Sequence, residues 1–189
     1  GPPDGHGHRS SAQQRPGVSG LARGRPRQPG AGEAGRHRLP PGHGHPAERP
    51  DDLDGPAILI FYRGGWCPYC NAHLAGLRDA VPRLRDAGYE VLFLSADRPS
   101  RLRASLEEPD LDYRLLSDAS MAIARAWGIA FRVGDETAER YRRAGIDLEA
   151  ASGYDHQQLP VPGVFLVDAD GFIRFRYVNP DYRERLGAG

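Results

Sequence analysis

Residues 57–70 read AILIFYRGGWCPYC and carry the clearest structural and chemical signals of this 189-residue chain. The first six, Ala57–Tyr62, form an unbroken apolar run, which is typical of a strand buried on both faces at the centre of a parallel sheet. Gly64 and Gly65 let the backbone leave the strand sharply, because glycine has no side chain to restrict it. Pro68 fits the first turn of a helix, where its missing N–H costs nothing. The stretch therefore predicts a strand, a tight turn and the start of a helix.

Both cysteines of the chain, Cys67 and Cys70, lie at this predicted helix start. Their spacing brings two sulfurs within disulfide reach, and the unpaired N–H groups and partial positive charge of a helix N-terminus stabilise a thiolate. A structural disulfide would close too short a loop to add much stability, and a zinc half-site with His73 lacks a convincing fourth ligand. Two inert cysteines would rarely fall at this spacing on a strand–helix junction. We therefore predict a redox-active dithiol whose first thiol has a lowered pKa, shielded on one side by Trp66.

The first helix is predicted over residues 71–87, because leucine and valine recur there at helical spacing. We expect Pro82 to kink this helix, since proline removes one backbone hydrogen bond and clashes with the preceding turn. Gly88 is a suitable helix stop.

The rest of the chain alternates further strands and helices. The expected elements are a strand at 90–95, a short helix at 100–107, a short strand at 113–116, a helix at 120–127 ended by Gly128, and strands at 163–167 and 172–178. Residues 168–171, Asp-Ala-Asp-Gly, join the last two strands and are a strong hairpin signal. Residues 131–158 are polar and irregular, and we interpret them as an insertion or a lid. This order indicates an α/β sheet with parallel and antiparallel parts.

Composition separates residues 1–50 from residues 51–189. The first segment holds 11 of the 24 glycines and 9 of the 17 prolines, so it cannot bury enough apolar surface to offset its ordering entropy, and we expect it to be disordered. Its charge of +5 cancels the −5 of residues 51–189. The neutral total argues against nucleic acid or an anionic membrane as the main partner. All basic residues are arginine, which suggests a GC-rich coding sequence, so a mis-assigned start is an alternative reading of the tail.

The segment FYRGGWCPYC resembles the peroxiredoxin-like branch of the alkyl hydroperoxide reductase/thiol-specific antioxidant (AhpC/TSA) family, whose members have the thioredoxin fold. Three further stretches are similar to that family: LLSD at 115–118 before a helix ending in AWG at 126–128, LPVPGVFLVDADG at 159–171, and VNPDYR at 178–183. The resemblance covers roughly residues 54–186. It implies a thioredoxin-like α/β fold in which helices flank a central mixed sheet, following the disordered tail.

The resemblance admits two assignments of the cysteines. Against thioredoxins, the WCxxC match makes Cys67 the attacking thiol and Cys70 the resolving one. Against typical peroxiredoxins, Cys70 takes the peroxidatic position, Cys67 replaces the family's threonine, and Arg63 replaces its proline. The family's usual arginine then aligns with about Pro162, which we expect to be a cis-proline as in thioredoxins. Arg63 would supply the missing cation if its side chain turns toward the thiolate, and is otherwise an ordinary surface arginine.

The resemblance implies a thiol-dependent oxidoreductase that reduces hydroperoxides and is restored by a thioredoxin-type reductant. The alternatives are a protein disulfide oxidoreductase, and a redox sensor or binding module with little turnover. We expect Tyr69 and Trp66 to line the substrate entrance or only to pack. No metal, flavin or nicotinamide cofactor is expected, since no GxGxxG fingerprint is present. The chain shows no signal peptide or membrane-spanning run, so a reducing cytoplasm is the expected location.

Overall fold

The computed structural model describes residues 55–102 and 113–187. Within them the strands are β1 (Ala57–Tyr62), β2 (Glu90–Ser95), β3 (Arg114–Ser117), β4 (Ala130–Arg132), β5 (Gln158–Pro160), β6 (Gly163–Val167) and β7 (Ile173–Val178). The helices are α1 (Pro68–Gly76), α2 (Ala80–Asp86), α3 (Pro99–Leu102), α4 (Ala122–Ala126), α5 (Asp135–Arg143) and α6 (Leu148–Ser152). The predicted tail at 1–50 and the end of the helix predicted at 100–107 lie outside the described residues. None of the described helices is both long and apolar enough to cross a membrane.

The central sheet has the strand order β3-β2-β1-β6-β7. Strand β1 pairs in parallel with β2, which pairs in parallel with β3, whereas β6 is antiparallel to both β1 and β7. A separate antiparallel ladder joins β4 to β5. The mixed α/β sheet predicted from the sequence is therefore confirmed, with the cysteine-bearing turn directly after its central strand.

Alternate residues of β1 lead into two cores, one on each face of the sheet. Leu59 and Phe61 belong to the core shared with α4, α5 and α6, where Phe61, Trp127 and Phe165 pack with ring centroids 4.7–5.7 Å apart. Ile60 and Tyr62 belong to the other core, which includes residues of α1 and α2 and both cysteines. All six residues of β1 are buried, as its continuous apolar run predicts.

The helix predicted at 71–87 is two helices, and the prediction of a kink at Pro82 is wrong. Helix α1 ends at Gly76, α2 begins at Ala80, and Pro82 lies in the first turn of α2. A proline there forfeits no intrahelical bond, because the first N–H groups of a helix have no partner within it. The break falls before the proline, where Ala80 and Val81 both donate to the Leu77 carbonyl. The expected stop at Gly88 is confirmed by its φ of +88°.

The interpretation of residues 131–158 as an irregular insertion is wrong. This region contains the end of β4, helices α5 and α6, and the start of β5. Helix α5 has a polar sequence because Ala138 is its one buried residue. Helix α6 is capped at its N-terminus by the Asp147 carboxylate, which accepts a hydrogen bond from the Ala150 N–H at 2.9 Å. The helices predicted at 100–107 and 120–127 begin at Pro99 and Ala122 instead. The hairpin at 168–171 is confirmed, with Gly171 at φ +80°.

Candidate active site

Cys67 is the N-cap of helix α1, at the end of the tight turn that follows β1. Its N–H donates to the Gly64 carbonyl at 3.1 Å, and its carbonyl accepts from Cys70 at 2.9 Å and from Asn71 at 3.1 Å. Pro68 occupies the first helical position, as the sequence predicts. The two cysteines therefore share the first turn of one helix, where free N–H groups favour negative charge.

A buried carboxylate on the neighbouring strand end braces this turn. Asp97 follows β2, is 1% exposed, and accepts the Gly65 N–H at 2.7 Å through its Oδ2. The Asn71 side chain donates to the Gly65 carbonyl at 2.9 Å. Gly64 lies at φ +154°, and a Cβ there would stand 2.3 Å from the Trp66 indole nitrogen. The turn thus requires glycine at Gly64 so that Trp66 can fold back over it.

The two thiols are reduced and lie in unlike electrostatic environments. The pKa of Cys67 is lowered to about 6, chiefly because its sulfur accepts a hydrogen bond from the Cys70 thiol; burial opposes this, and the Cys70 N–H, Arg63 and Arg185 add to it. The pKa of Cys70 is raised, because its thiol proton is held by Cys67 and because the residue is fully buried. Near neutral pH, Cys67 is therefore the thiolate and Cys70 the thiol.

The Arg63 side chain is 4% exposed, so of the two alternatives for this residue the ordinary surface arginine is wrong. Its guanidinium carbon lies 4.3 Å from the ring centroid of Tyr182, 5.2 Å from that of Trp66 and 5.4 Å from that of Tyr141. It also donates a hydrogen bond to the Tyr141 hydroxyl. Aromatic rings attract a cation through their electron-rich faces, so this cluster keeps a positive charge buried beside the cysteines.

A C-terminal segment, residues 179–187, packs against the same helix. The Tyr182 ring meets Tyr69 edge-on at 5.5 Å, and the His73 Nε2 lies 3.0 Å from the Leu186 carbonyl. Arg185 donates from Nη2 to the Cys70 sulfur at 3.5 Å. Burial lowers the pKa of His73, which favours the neutral ring. The segment therefore delivers a second guanidinium to the cysteine pair.

Of the residues singled out in the sequence, Arg63, Trp66, Cys67, Pro68, Tyr69 and Cys70 come together at the site. The expectation of a cis bond before Pro162 is wrong, since all peptide bonds of the described residues are trans. The Val161 N–H, on the residue before Pro162, donates to the Ile129 carbonyl at 2.7 Å, next to the β4–β5 ladder. The Pro162 carbonyl instead accepts from the Asn179 N–H at 3.2 Å.

Sequence reasoning missed Asp97, Tyr141 and Arg185. Asp97 and Arg185 are ordinary charged residues in their local sequence, and only the pairing of β1 with β2 and the return of the C-terminal segment bring them to the site. Burial raises the pKa of Asp97, against the opposing effect of the Gly65 N–H. Tyr62, whose pKa is also raised by burial, lies on the same side of the sheet as the cysteines. A charged residue two positions after a buried strand is the one signal that could have pointed to Asp97.

Comparison with known proteins identifies a family and a fold. The sequence model of the AhpC/TSA family matches residues 34–176. Peroxiredoxin Bcp of Escherichia coli strain K12 is 34% identical over 79 residues, 41% of this chain and 51% of that protein. Chloroplastic peroxiredoxin Q of Suaeda salsa is 31% identical over 124 residues, 66% of this chain and 48% of that protein. The chain thus matches about half the length of these curated relatives.

Among solved structures, the crystal structure of peroxidoxin BcpB from Mycobacterium tuberculosis superposes with a TM-score of 0.53 at 21% identity, covering 78% of this chain and 84% of that one. This likeness confirms the thioredoxin-like fold. The family match begins at residue 34, within the segment expected to lie outside the resemblance. It ends at residue 176, so the C-terminal segment that contacts the cysteines lies beyond it.

Proposed function

Because the chain belongs to the AhpC/TSA family, we propose that it is a thiol-dependent peroxidase that reduces hydroperoxides through a Cys67–Cys70 dithiol/disulfide cycle. The observation that carries the proposal is the placement of Cys67 as the N-cap of α1, with a pKa of about 6 and Cys70 in the same turn. A thiol with that pKa is mostly thiolate at neutral pH, and the thiolate is the nucleophile.

In the first step the Cys67 thiolate attacks the O–O bond of the hydroperoxide. A sulfur–oxygen bond forms, the O–O bond breaks, and the alkoxide leaves and takes a proton from water to become the alcohol. Cys67 is then a sulfenic acid. The Arg63 guanidinium, enclosed by the rings of Trp66, Tyr141 and Tyr182, keeps a positive charge near the reacting sulfur throughout this step.

In the second step Cys70 attacks the Cys67 sulfur, so that the S–S bond forms and the S–O bond breaks with release of water. A thioredoxin-type dithiol then reduces this disulfide in two successive thiol–disulfide exchange reactions. The reductant supplies two electrons and is itself left as a disulfide. This cycle needs no metal, flavin or nicotinamide on the chain itself. It does need a reducing compartment, so the cytoplasm remains the proposed location.

The burial of the cysteines favours small substrates. Cys67 is 2% exposed and Cys70 is fully buried, with Trp66 beside them and Tyr69 46% exposed at the rim. A hydroperoxide of a few atoms needs a far smaller opening than a protein disulfide does. Tyr69 and Trp66 are therefore proposed to line the entrance.

The test is stopped-flow mixing of the reduced protein with hydrogen peroxide, followed by tryptophan fluorescence. We expect a fast phase that scales with peroxide concentration and a second phase that does not. Cys70→Ser should keep the first phase and lose the second, whereas Cys67→Ser should lose both, with a drop in rate on the order of a thousandfold. Oxidation of the wild type no faster than that of free cysteine would overturn the proposal. Retention of the first phase by Cys67→Ser alone would make Cys70 the attacking residue.

A protein disulfide oxidoreductase is the second candidate. It is favoured by the assignment of the thiolate to Cys67, the first cysteine, which is the register of the WCxxC match to thioredoxins. In that activity Cys67 attacks a substrate disulfide and Cys70 resolves the mixed disulfide. Rapid reduction of a protein disulfide such as that of insulin, together with slow reaction with hydrogen peroxide, would favour this candidate over the peroxidase.

A further inference from the structure

Arg185 is the guanidinium that contacts the buried sulfur of Cys70. Its Nη2 lies 3.5 Å from the Cys70 sulfur, and its Nη1 donates only to the carbonyl of its own neighbour Glu184, at 3.1 Å. Its Nε is buried without a hydrogen-bond partner. No carboxylate among the described residues forms an ion pair with Arg185; the nearby Asp181 carboxylate, which feels the Arg185 charge, is paired with Arg183 instead.

Arg183, two residues earlier, is a contrasting cation in the same segment. It forms a bidentate pair with the Asp181 carboxylate at 2.8 and 2.9 Å and faces solvent. Three contacts of the segment with the site hold Arg185 in place: Tyr182 on Arg63, Tyr182 on Tyr69, and the Leu186 carbonyl on His73. The segment thus presents to water an arginine that is paired with a carboxylate, and presents to the Cys70 sulfur an arginine that has no such direct pair.

We propose that Arg185 is a further catalytic residue, whose guanidinium stabilises the Cys70 thiolate when the Cys67–Cys70 disulfide closes and again when it opens. The inference rests on the proposed function for the closing step, since that step needs a sulfenic acid at Cys67. The opening step requires only that the disulfide be reduced by a thiol, whatever oxidised it.

The need for such a cation follows from the environment of Cys70. In the reduced protein the negative Cys67 holds the Cys70 proton, and burial adds to the pKa of Cys70. Once Cys67 is a neutral sulfenic acid, its charge no longer opposes ionisation of Cys70. Three groups then face the Cys70 sulfur: the backbone N–H of Arg63, the Tyr62 phenol and the Arg185 guanidinium. Burial raises the pKa of the phenol, so the phenol stays neutral. Arg185 brings the only full charge of the three.

Arg185 faces the same Cys70 thiolate when the disulfide closes and when it opens. On closing, the Cys70 thiolate attacks the Cys67 sulfur, the S–S bond forms, and the sulfenic hydroxyl leaves and is protonated to water. On opening, a reductant thiolate attacks Cys67, and the electron pair of the broken S–S bond leaves on Cys70. A leaving thiol of lower pKa departs faster, so a cation at Cys70 accelerates this step as well.

The experiment compares Arg185→Gln with Arg183→Gln, which removes the same charge two residues away, and with Arg185→Lys. In the peroxide stopped-flow assay we expect Arg185→Gln to slow the concentration-independent second phase about tenfold and to move its pH midpoint upward by about one unit. Its first phase should slow by less than about threefold, because Cys70 and its N–H act on Cys67 more strongly. Arg185→Lys should recover part of the loss, and Arg183→Gln should match the wild type.

A second arm does not involve peroxide. The disulfide is formed in advance, and its reduction by dithiothreitol is timed for the same variants, with Arg185→Met as a replacement that keeps the aliphatic stem should Arg185→Gln fold poorly. We expect both uncharged variants to be reduced about tenfold more slowly than the wild type. Equal rates for the wild type and Arg185 variants, or equal slowing in Arg183→Gln, would overturn the role of Arg185. If the wild type does not react with peroxide, the proposed function falls and this second arm alone decides the role of Arg185.

Discussion

The cysteine pair is built from two regions that differ in almost every respect: the turn at residues 63–70 and the C-terminal segment at residues 179–187. Each brings one arginine to the site. The turn encloses the Arg63 guanidinium among aromatic rings and gives Cys70 only the Arg63 backbone N–H, whereas the segment places the Arg185 guanidinium against Cys70. The turn lies inside the family match, and the segment lies beyond its end at residue 176.

The two regions show which properties of the cysteine pair arise from local sequence and which arise from long-range packing. Glycine, a helix N-terminus and the spacing of two cysteines are enough to create a reactive thiolate at Cys67. The electrostatics of Cys70 are set chiefly by Cys67 and by burial, and a segment 115 residues further along the chain adds the Arg185 guanidinium. One consequence is that substitutions in the turn should affect folding, whereas substitutions in the segment should affect mainly the reactivity of the second cysteine.

The largest effect is expected from Gly64→Ala. The backbone at Gly64 has φ +154°, and a Cβ would stand 2.3 Å from the Trp66 indole and 2.9 Å from Asp97. We expect a loss of about 2 kcal/mol or more in the free energy of unfolding. In the C-terminal segment, Gly187→Ala is the control, because a Cβ there meets no atom within 4 Å. Chemical denaturation of the two variants tests the contrast, and equal losses would contradict it.

The next effect is a pH dependence that differs between the two cysteines. Because the reactive form is the thiolate and the pKa of Cys67 is about 6, its alkylation by iodoacetamide should level off above about pH 7 and fall about tenfold by about pH 5. Cys70 should remain unmodified over this range, since its pKa is raised. Cys70→Ala should move the Cys67 midpoint upward, because it removes the largest cause of the lowered pKa. A midpoint unchanged in Cys70→Ala would contradict the assignment.

The smallest effect is expected from Tyr182, where the two regions touch. Tyr182→Ala removes the ring that covers Arg63 at 4.3 Å and meets Tyr69 at 5.5 Å, and should cost about 1 kcal/mol of stability. Tyr182→Phe keeps the ring and should stay within about 0.5 kcal/mol of the wild type. Thermal unfolding measures both. If the two variants were equally destabilised, the hydroxyl rather than the ring would be the part that matters.

Much of the fold could be predicted because its central strands are continuous apolar runs with clear ends. Strands β1, β2 and β6 have the predicted bounds, and the Asp-Ala-Asp-Gly hairpin is present. The prediction of one helix over 71–87 follows from an apolar spacing that continues through both α1 and α2. This spacing gives no sign of the break between the two helices. Helices α5 and α6 escaped prediction because their buried faces are formed by few, mostly small residues.

The site could be predicted only where it is local. Cys67, Pro68 and Cys70 occupy one helical turn, so their arrangement follows from spacing. The sequence around Arg63 does not distinguish a surface arginine from a site arginine, because its burial depends on Tyr141 and Tyr182, which come from distant parts of the chain. The expected cis bond before Pro162 is carried over from thioredoxins, and no local pattern at the proline distinguishes cis from trans.

The position of both sulfurs in one helical turn bears on over-oxidation of Cys67 in the proposed peroxidase cycle. A sulfenic acid can be carried further, to the sulfinic state, when a second peroxide molecule arrives before the resolving thiol does. With Cys70 three residues away and already facing Cys67, resolution is an intramolecular reaction that requires no unwinding of α1. In the proposed cycle, inactivation by excess oxidant should therefore become appreciable only at peroxide concentrations high enough to outpace this intramolecular step.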